Sequence, residues 1–250
     1  MKSLKLSVIS LIAAAPLAAF ASHPLTTDDT GVQGTGHWQF ELNADRAVER
    51  DTRNIGVVSN ATLTRGLSDS VDLAVSLPWR HSQVGEEDLR ETQKGFGDAS
   101  IAVKWRLYEQ EKLSFSVKPQ LVLPTANADK GLGSDRLQPG LTGAVAWGDE
   151  KLTLLGNVGY LYANNKVDDR KDIWSYSGAA VIGLTEQFRL VAEAGTYSNS
   201  DATTSKRPAF ANVGLIFSPT EKLDFDIGYR HGLNKAEALY SVGAGVTVRW

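Results

Sequence analysis

The chain has 250 residues, with 23 Gly, six Trp, seven Tyr, eight Phe, one Met and no Cys. Without Cys it has no disulfides, no thiolate chemistry and no Cys-based metal site, and a formal charge of −3 offers no basic surface for nucleic acid. All-β barrels commonly use this length for a single domain.

Residues 1–21 read as a signal peptide. MKSLK is a basic start, LSVISLIAAAPLAAF an apolar run, and Ala19-Phe20-Ala21 a small-x-small cleavage site. The run contains Pro16 and falls short of the roughly 20 apolar residues of a spanning helix. We therefore expect cleavage, which removes Lys2 and Lys5 and takes the formal charge from −3 to −5. Residues 22–36 follow as a polar segment, and HPLTTDDTGVQGTG has one Leu, one Val, two Asp and four Thr. Two readings stand for it: a periplasmic tail, or a plug folded into the molecule with Asp28 and Asp29 as its charged groups.

No second run is long enough for a membrane helix, but transmembrane strands average out to a soluble-looking hydropathy. The period must decide. From residue 37 to 250 apolar and polar residues alternate through twelve segments: 37–47, 54–66, 70–82, 96–109, 112–125, 136–148, 151–164, 172–185, 187–198, 207–218, 222–232 and 239–250. Ile101, Val103, Trp105 and Leu107 oppose Ser100, Ala102, Lys104 and Arg106; Leu223, Phe225, Ile227 and Tyr229 oppose Asp224, Asp226, Gly228 and Arg230. In YSVGAGVTVRW, Tyr240, Val242, Ala244, Val246, Val248 and Trp250 share one face. Most segments are longer than ordinary globular strands and suffice for a tilted crossing.

Short turns such as LSDS, QEK, DEK and PTEK follow the even segments, and longer stretches such as VGEEDLRETQKG and ANADKGLGSDR follow the odd ones. Short periplasmic turns with longer outer loops define the outer-membrane arrangement. All six Trp fall on the apolar faces near strand ends, as interfacial girdles require. A soluble sandwich would alternate too, but would not alternate its loop lengths in this way. The reading is an all-β, transmembrane, antiparallel up-and-down barrel of about 12 strands over residues 37–250.

Charges too costly toward lipid gather on the inward face: Arg80, Lys104, Arg106, Lys118, Arg189, Arg230 and Arg249 against Glu41, Asp72, Asp98, Glu193, Asp224 and Asp226. One antiparallel register sets Asp72 opposite Arg106 and Arg80 opposite Asp98; another sets Asp224 opposite Arg249. Lys104 would face Lys118, a locally basic place unless an acid from elsewhere reaches it. Arg80, Asp98, Lys104, Arg106, Lys118, Asp224, Asp226, Arg230 and Arg249 are the candidate lumen or selectivity residues. The plainer alternative is an internally paired lining. No catalytic residue is expected: His81 precedes Ser82, but neighbours on a strand point to opposite faces, and His231 has no Ser two residues away. No metal or cofactor site is visible.

TTDDTGVQGTGHWQFELN, GFGDASIAVKWR, KPQLVLPTANADKGLGSDR and NVGYLYANN resemble pieces of the outer-membrane transporter-like family named for the meta-pathway of phenol degradation. The resemblance implies a Gram-negative outer-membrane barrel with a transport role, admitting aromatic or other hydrophobic compounds. Where relatives often read LPTG, this chain has LPTA at 123–126. The expected protein is a monomeric channel for passive uptake of small solutes, surrounded by outer-membrane lipid. The C-terminal strand ending in Trp250 resembles the terminal aromatic signal by which outer-membrane proteins are recognised for insertion, which implies the barrel-assembly machinery as a partner. A barrel without an open pore, structural or lipid-interacting, is the alternative, and a lipid-modifying envelope enzyme comes after it.

Overall fold

A computed structural model describes residues 23–51, 53–84, 91–166 and 169–250. The expected signal peptide lies outside the described residues. The strands are β1 (Trp38–Val48), β2 (Ile55–Ser68), β3 (Val71–Val84), β4 (Glu91–Phe96), β5 (Ser100–Gln110), β6 (Leu113–Val122) and β7 (Gln138–Gly148). β8 (Leu152–Tyr162), β9 (Asp172–Gly183), β10 (Phe188–Tyr197), β11 (Ala209–Thr220), β12 (Leu223–Gly232) and β13 (Tyr240–Arg249) complete the set. All ladders are antiparallel, and β1 pairs with both β2 and β13, so the sheet closes on itself. Closure leaves β4, which pairs with β3 alone, as the one described strand with an edge outside the ladders.

There are twelve staves rather than thirteen. β4 and β5 share one edge of β3, β4 pairing Trp79–Val84 and β5 pairing Val71–Ser76. They form one stave broken at residues 97–99, next to Gly95 at φ 153. The stretch VGEEDLRETQKG, expected to be loop, therefore supplies strand from Glu91 onward.

The outward face is apolar. Leu42, Leu63, Val75, Leu107, Leu141, Val213 and Ile227 are exposed among many others, far beyond the apolar patches a soluble monomer tolerates. A soluble sandwich would bury such a face. Aromatic rings collect at both rims. Trp38, Trp105, Trp147 and Trp250 lie at the short-turn end, where Trp38 stacks on Trp250 at 6.4 Å and the Arg65 guanidinium covers Trp38 at 4.6 Å. At the long-loop end Trp79 meets Phe96 edge-on at 4.8 Å, and Trp174 lies between Tyr160 and Tyr176.

At the short-turn end the N-terminal segment joins the barrel by backbone contact. Gly36 N donates to Gly66 O at 3.0 Å, and Gly66 N donates to His37 O at 2.9 Å. A Cβ on Gly66 would stand 1.7 Å from the Gly34 carbonyl oxygen, so only glycine lets the two backbones approach. Gly66→Ala is expected to cost about 1–3 kcal/mol, as overpacking does. The measurement is the urea midpoint at which the fast-migrating folded band is lost.

Candidate functional site

Residues 23–33 lie inside the barrel, and residues 34–36 reach its short-turn end. Starting at the lumen wall of β12 and β13, they cross to β5 and β6 and descend to the short-turn end. Pro24 packs where Gly214 and Gly228 leave room, 2.5 Å and 2.6 Å from the positions their Cβ atoms would take. Leu25 joins Ala146, Leu155, Ala179, Val181, Val191 and Ile216 in a buried apolar cluster. The lumen is thus not uniformly polar. Along β8 to β11 the runs LTLL, AAVIG, RLVA and GLIF carry apolar residues on both faces, a local failure of alternation that marks an inner apolar wall.

Polar contacts fix the rest of the segment. Glu193 on β10 accepts from Thr26 N at 3.1 Å, Thr27 N at 2.6 Å and both threonine hydroxyls. Asn157 on β8 accepts from Asp28 N at 2.6 Å and donates to Asp28 O at 2.9 Å. Thr30 meets Ser114 at 2.5 Å, and the Asp72 carboxylate accepts from Gln33 N at 3.0 Å. Every one of these partners is an inward residue of a different strand, so the segment is held by the wall rather than by itself.

The charged centre is Asp28 and Asp29 against two lysines. Lys104 Nζ lies 2.7 Å from Asp28 and 2.9 Å from Asp29, and Lys118 forms an ion pair with Asp28. Burial by itself would raise the Asp28 carboxyl, but the two ammonium groups hold it well below the usual carboxylate range. Lys104 and Lys118 stand opposite each other in the register that pairs Ala102 with Gln120 and Trp105 with Val117. Two cations on facing strands repel, and the segment supplies the acids between them.

The other candidate residues separate into local roles. Asp72 faces Lys104, not Arg106, and Arg80 faces Gly95, not Asp98. Asp98 instead accepts from Ala126 N at 3.0 Å and Ser134 N at 2.8 Å, tying the 123–137 loop to the broken stave. Arg106 reaches the short-turn end, 3.1 Å from Glu109 and 2.8 Å from Asp69 O. Asp224 has Thr247, not Arg249, as its Cα partner, yet the Arg249 side chain leans diagonally to it at 2.8 Å, beside Arg189 at 3.3 Å. Arg230 lies 3.4 Å from Glu237 and 3.5 Å over the Phe210 ring. His81 and His231 share the outward faces of Trp79 and Tyr229, away from the lumen.

Asp226 binds His23, which sequence reasoning left outside the candidate residues. His23 forms an ion pair with Asp226 through Nδ1 and lies 3.4 Å from Asp45 through Nε2. Burial opposes its charge, but the two carboxylates outweigh this and push His23 up to about 9. The docked imidazole binds a proton more tightly than a free one near 6.5, so its contribution is complete below about 6.5 and is lost as pH rises through about 9. Conductance is therefore expected to rise between about pH 7 and about pH 10, and His23→Gln should abolish that rise.

The segment leaves two spaces. A cavity of about 650 Å³ runs along β1, β2 and β3, from Gln39, Thr64 and Asp72 at the short-turn end to Ala47 and Glu237 toward the loops. A nook of about 390 Å³ lies against Thr142, Asn157, Ser175 and Phe210, and Asp28, Lys118 and Arg230 border both.

A sequence profile described as "Putative MetA-pathway of phenol degradation" matches residues 21–250. The chain belongs to that family. No curated protein matches the sequence. Among solved structures the chain is similar to an outer membrane channel from Pseudomonas putida F1, with TM-score 0.69, 14% identity, and coverage of 89% of this chain and 98% of that one. It is also similar to the KdgM porin, with TM-score 0.57, 8% identity, and coverage of 84% and 98%. At these identities the likeness concerns the barrel fold. The family match includes the inward-folded segment.

Proposed function

We propose that the protein is a monomeric outer-membrane channel through which small solutes diffuse passively, with residues 23–36 as a plug that narrows the lumen. The observation that carries this reading is the cavity of about 650 Å³ that follows β1 to β3 past the docked segment. An eight-stranded barrel is filled by side chains and a sixteen-stranded one is open; twelve staves with a plug on one side leave a lateral passage. The wall of that passage carries Asn43, Asn60, Thr62, Thr64 and Ser76, hydrogen-bonding groups that replace part of a solute's hydration.

Two outer-membrane neighbours of this fold, a channel and a porin, support the same reading, and the phenol pathway in the family's description makes aromatic compounds the first solutes to test. Export through residues 1–21 and insertion by the barrel-assembly machinery through the Trp250 strand belong to the proposal, and no catalytic step does. The test is single-channel recording in a planar bilayer, with uptake by deletion and complemented cells over aromatic and polar compounds. Discrete conductance steps and solute-dependent uptake are expected. Folded protein that inserts without conductance would point to a barrel with no open pore.

A further inference from the structure

The segment does more to the passage than occupy space, because it changes which charges face it. The wall contributed by β5 and β6 would be basic on its own, since Lys104 and Lys118 oppose each other. Asp28 and Asp29 bring two carboxylates to these two ammonium groups, at 2.7 Å and 2.9 Å from Lys104 and in direct contact with Lys118. That wall becomes neutral.

The facing wall has less compensation: Asp72 stands opposite Lys104, but Glu41 and Asp45 on β1 have no basic residue opposite them on β2 or β13. Glu41 and Asp45 point into the passage from β1, and Asp72 does so from β3. The inward residues of β1 and β2 that line the passage include no Lys or Arg. Among the described residues the cation paired with Asp45 is His23, which it shares with Asp226, so that trio remains acidic. Arg230 is matched by Glu237. With the segment docked, the acidic groups outnumber the basic ones along the route. Low-dielectric walls strengthen the effect of such an imbalance on passing ions.

From this we infer that Asp28 and Asp29 are selectivity determinants: by neutralising Lys104 and Lys118 they turn a mixed pore into one that favours cations and cationic solutes over anions, with Glu41 and Asp45 as the attracting wall. The inference rests on the channel reading. It assigns the segment a sign as well as a size, and the two are separable because charge can be changed without shortening the chain.

The test is the reversal potential of the purified full-length mature protein in an asymmetric KCl gradient. The wild type is expected to be cation-selective. Asp28→Asn with Asp29→Asn is expected to move the reversal potential toward that of chloride, since Lys104 and Lys118 then face the passage whether or not the segment stays docked. A second variant, Glu41→Gln with Asp45→Asn, leaves the lysine pairs in place and is expected to move it in the same direction. An anion-selective wild type would overturn the inference, and so would folded variants of both kinds that keep the wild-type reversal potential. Absence of any conductance from folded wild-type barrels would overturn the channel reading along with it, whereas unchanged selectivity in a conducting pore overturns the inference alone.

Discussion

Deleting residues 23–34 is expected to raise single-channel conductance several-fold while the barrel still folds. The segment forms no strand and takes no part in the ladders that close β1 on β2 and β13, so the hydrogen-bonded wall survives its removal. What is lost is the docking itself: Leu25 leaves its apolar cluster, at about 1.5–3 kcal/mol for one such side chain, and Glu193, Asn157 and Ser114 exchange segment partners for water. Lumen water can satisfy those groups, so the expected cost falls on stability and not on the topology. Residues 35 and 36 are kept because Gly36 anchors the start of β1 to Gly66. The measurement is conductance in a planar bilayer together with the heat-dependent gel mobility of the folded form. Equal conductance with and without the segment would remove the plug from the mechanism, and the route would then have to lie elsewhere in the wall.

The barrel was legible because period-2 alternation repeats stave after stave, and lipid outside with water inside demands it. The register between β3 and β5 was not. Setting Asp72 opposite Arg106 in place of Lys104 is a slide of two residues, which keeps every side chain on its own face and leaves the pattern unchanged. Charge complementarity favoured either lysine or arginine, so it could not choose between them. The break between β4 and β5 was hidden for a different reason, since Gly95 and Gly97 read equally well as loop or as strand interruption. Lys104 opposite Lys118 was foreseeable from the turn between β5 and β6, and so was the need for an acid there. Which acid arrives is a long-range matter, 75 residues away in the chain for the Lys104–Asp29 contact, and no local pattern encodes it. His23 was missed because a single histidine in a short polar stretch ahead of β1 has no periodic context. The alternation failure on β8 to β11 was present in the letters, and read as an inner apolar wall it would have pointed to an apolar guest such as Leu25.

Lys104→Met is expected to release the segment. The lysine side chain is 16% exposed and that of Asp28 only 7%, so the pair sits largely out of water, where removing Lys104 leaves Asp28 with Lys118 as its remaining ammonium partner. Losses of about 3–5 kcal/mol are usual for breaking one side of a buried pair, and here Asp29 loses its Lys104 contact as well. The chain has no cysteine, so Val32→Cys gives a single thiol at a position that is buried while the segment is docked. In the otherwise wild-type protein a membrane-impermeant maleimide should label it slowly; with Lys104→Met added, labelling should accelerate toward the rate of an exposed thiol, and conductance should rise toward that of the 23–34 deletion. Adding Asp28→Asn to Lys104→Met removes the Asp28 charge and should recover much of the protection, giving a coupling term that separates ion pairing from lost packing. Slow labelling in the Lys104→Met protein would mean that Glu193, Asn157 and the Leu25 cluster hold the segment without the ion pairs. The cluster around Asp28 would then serve only to set the charge of the passage.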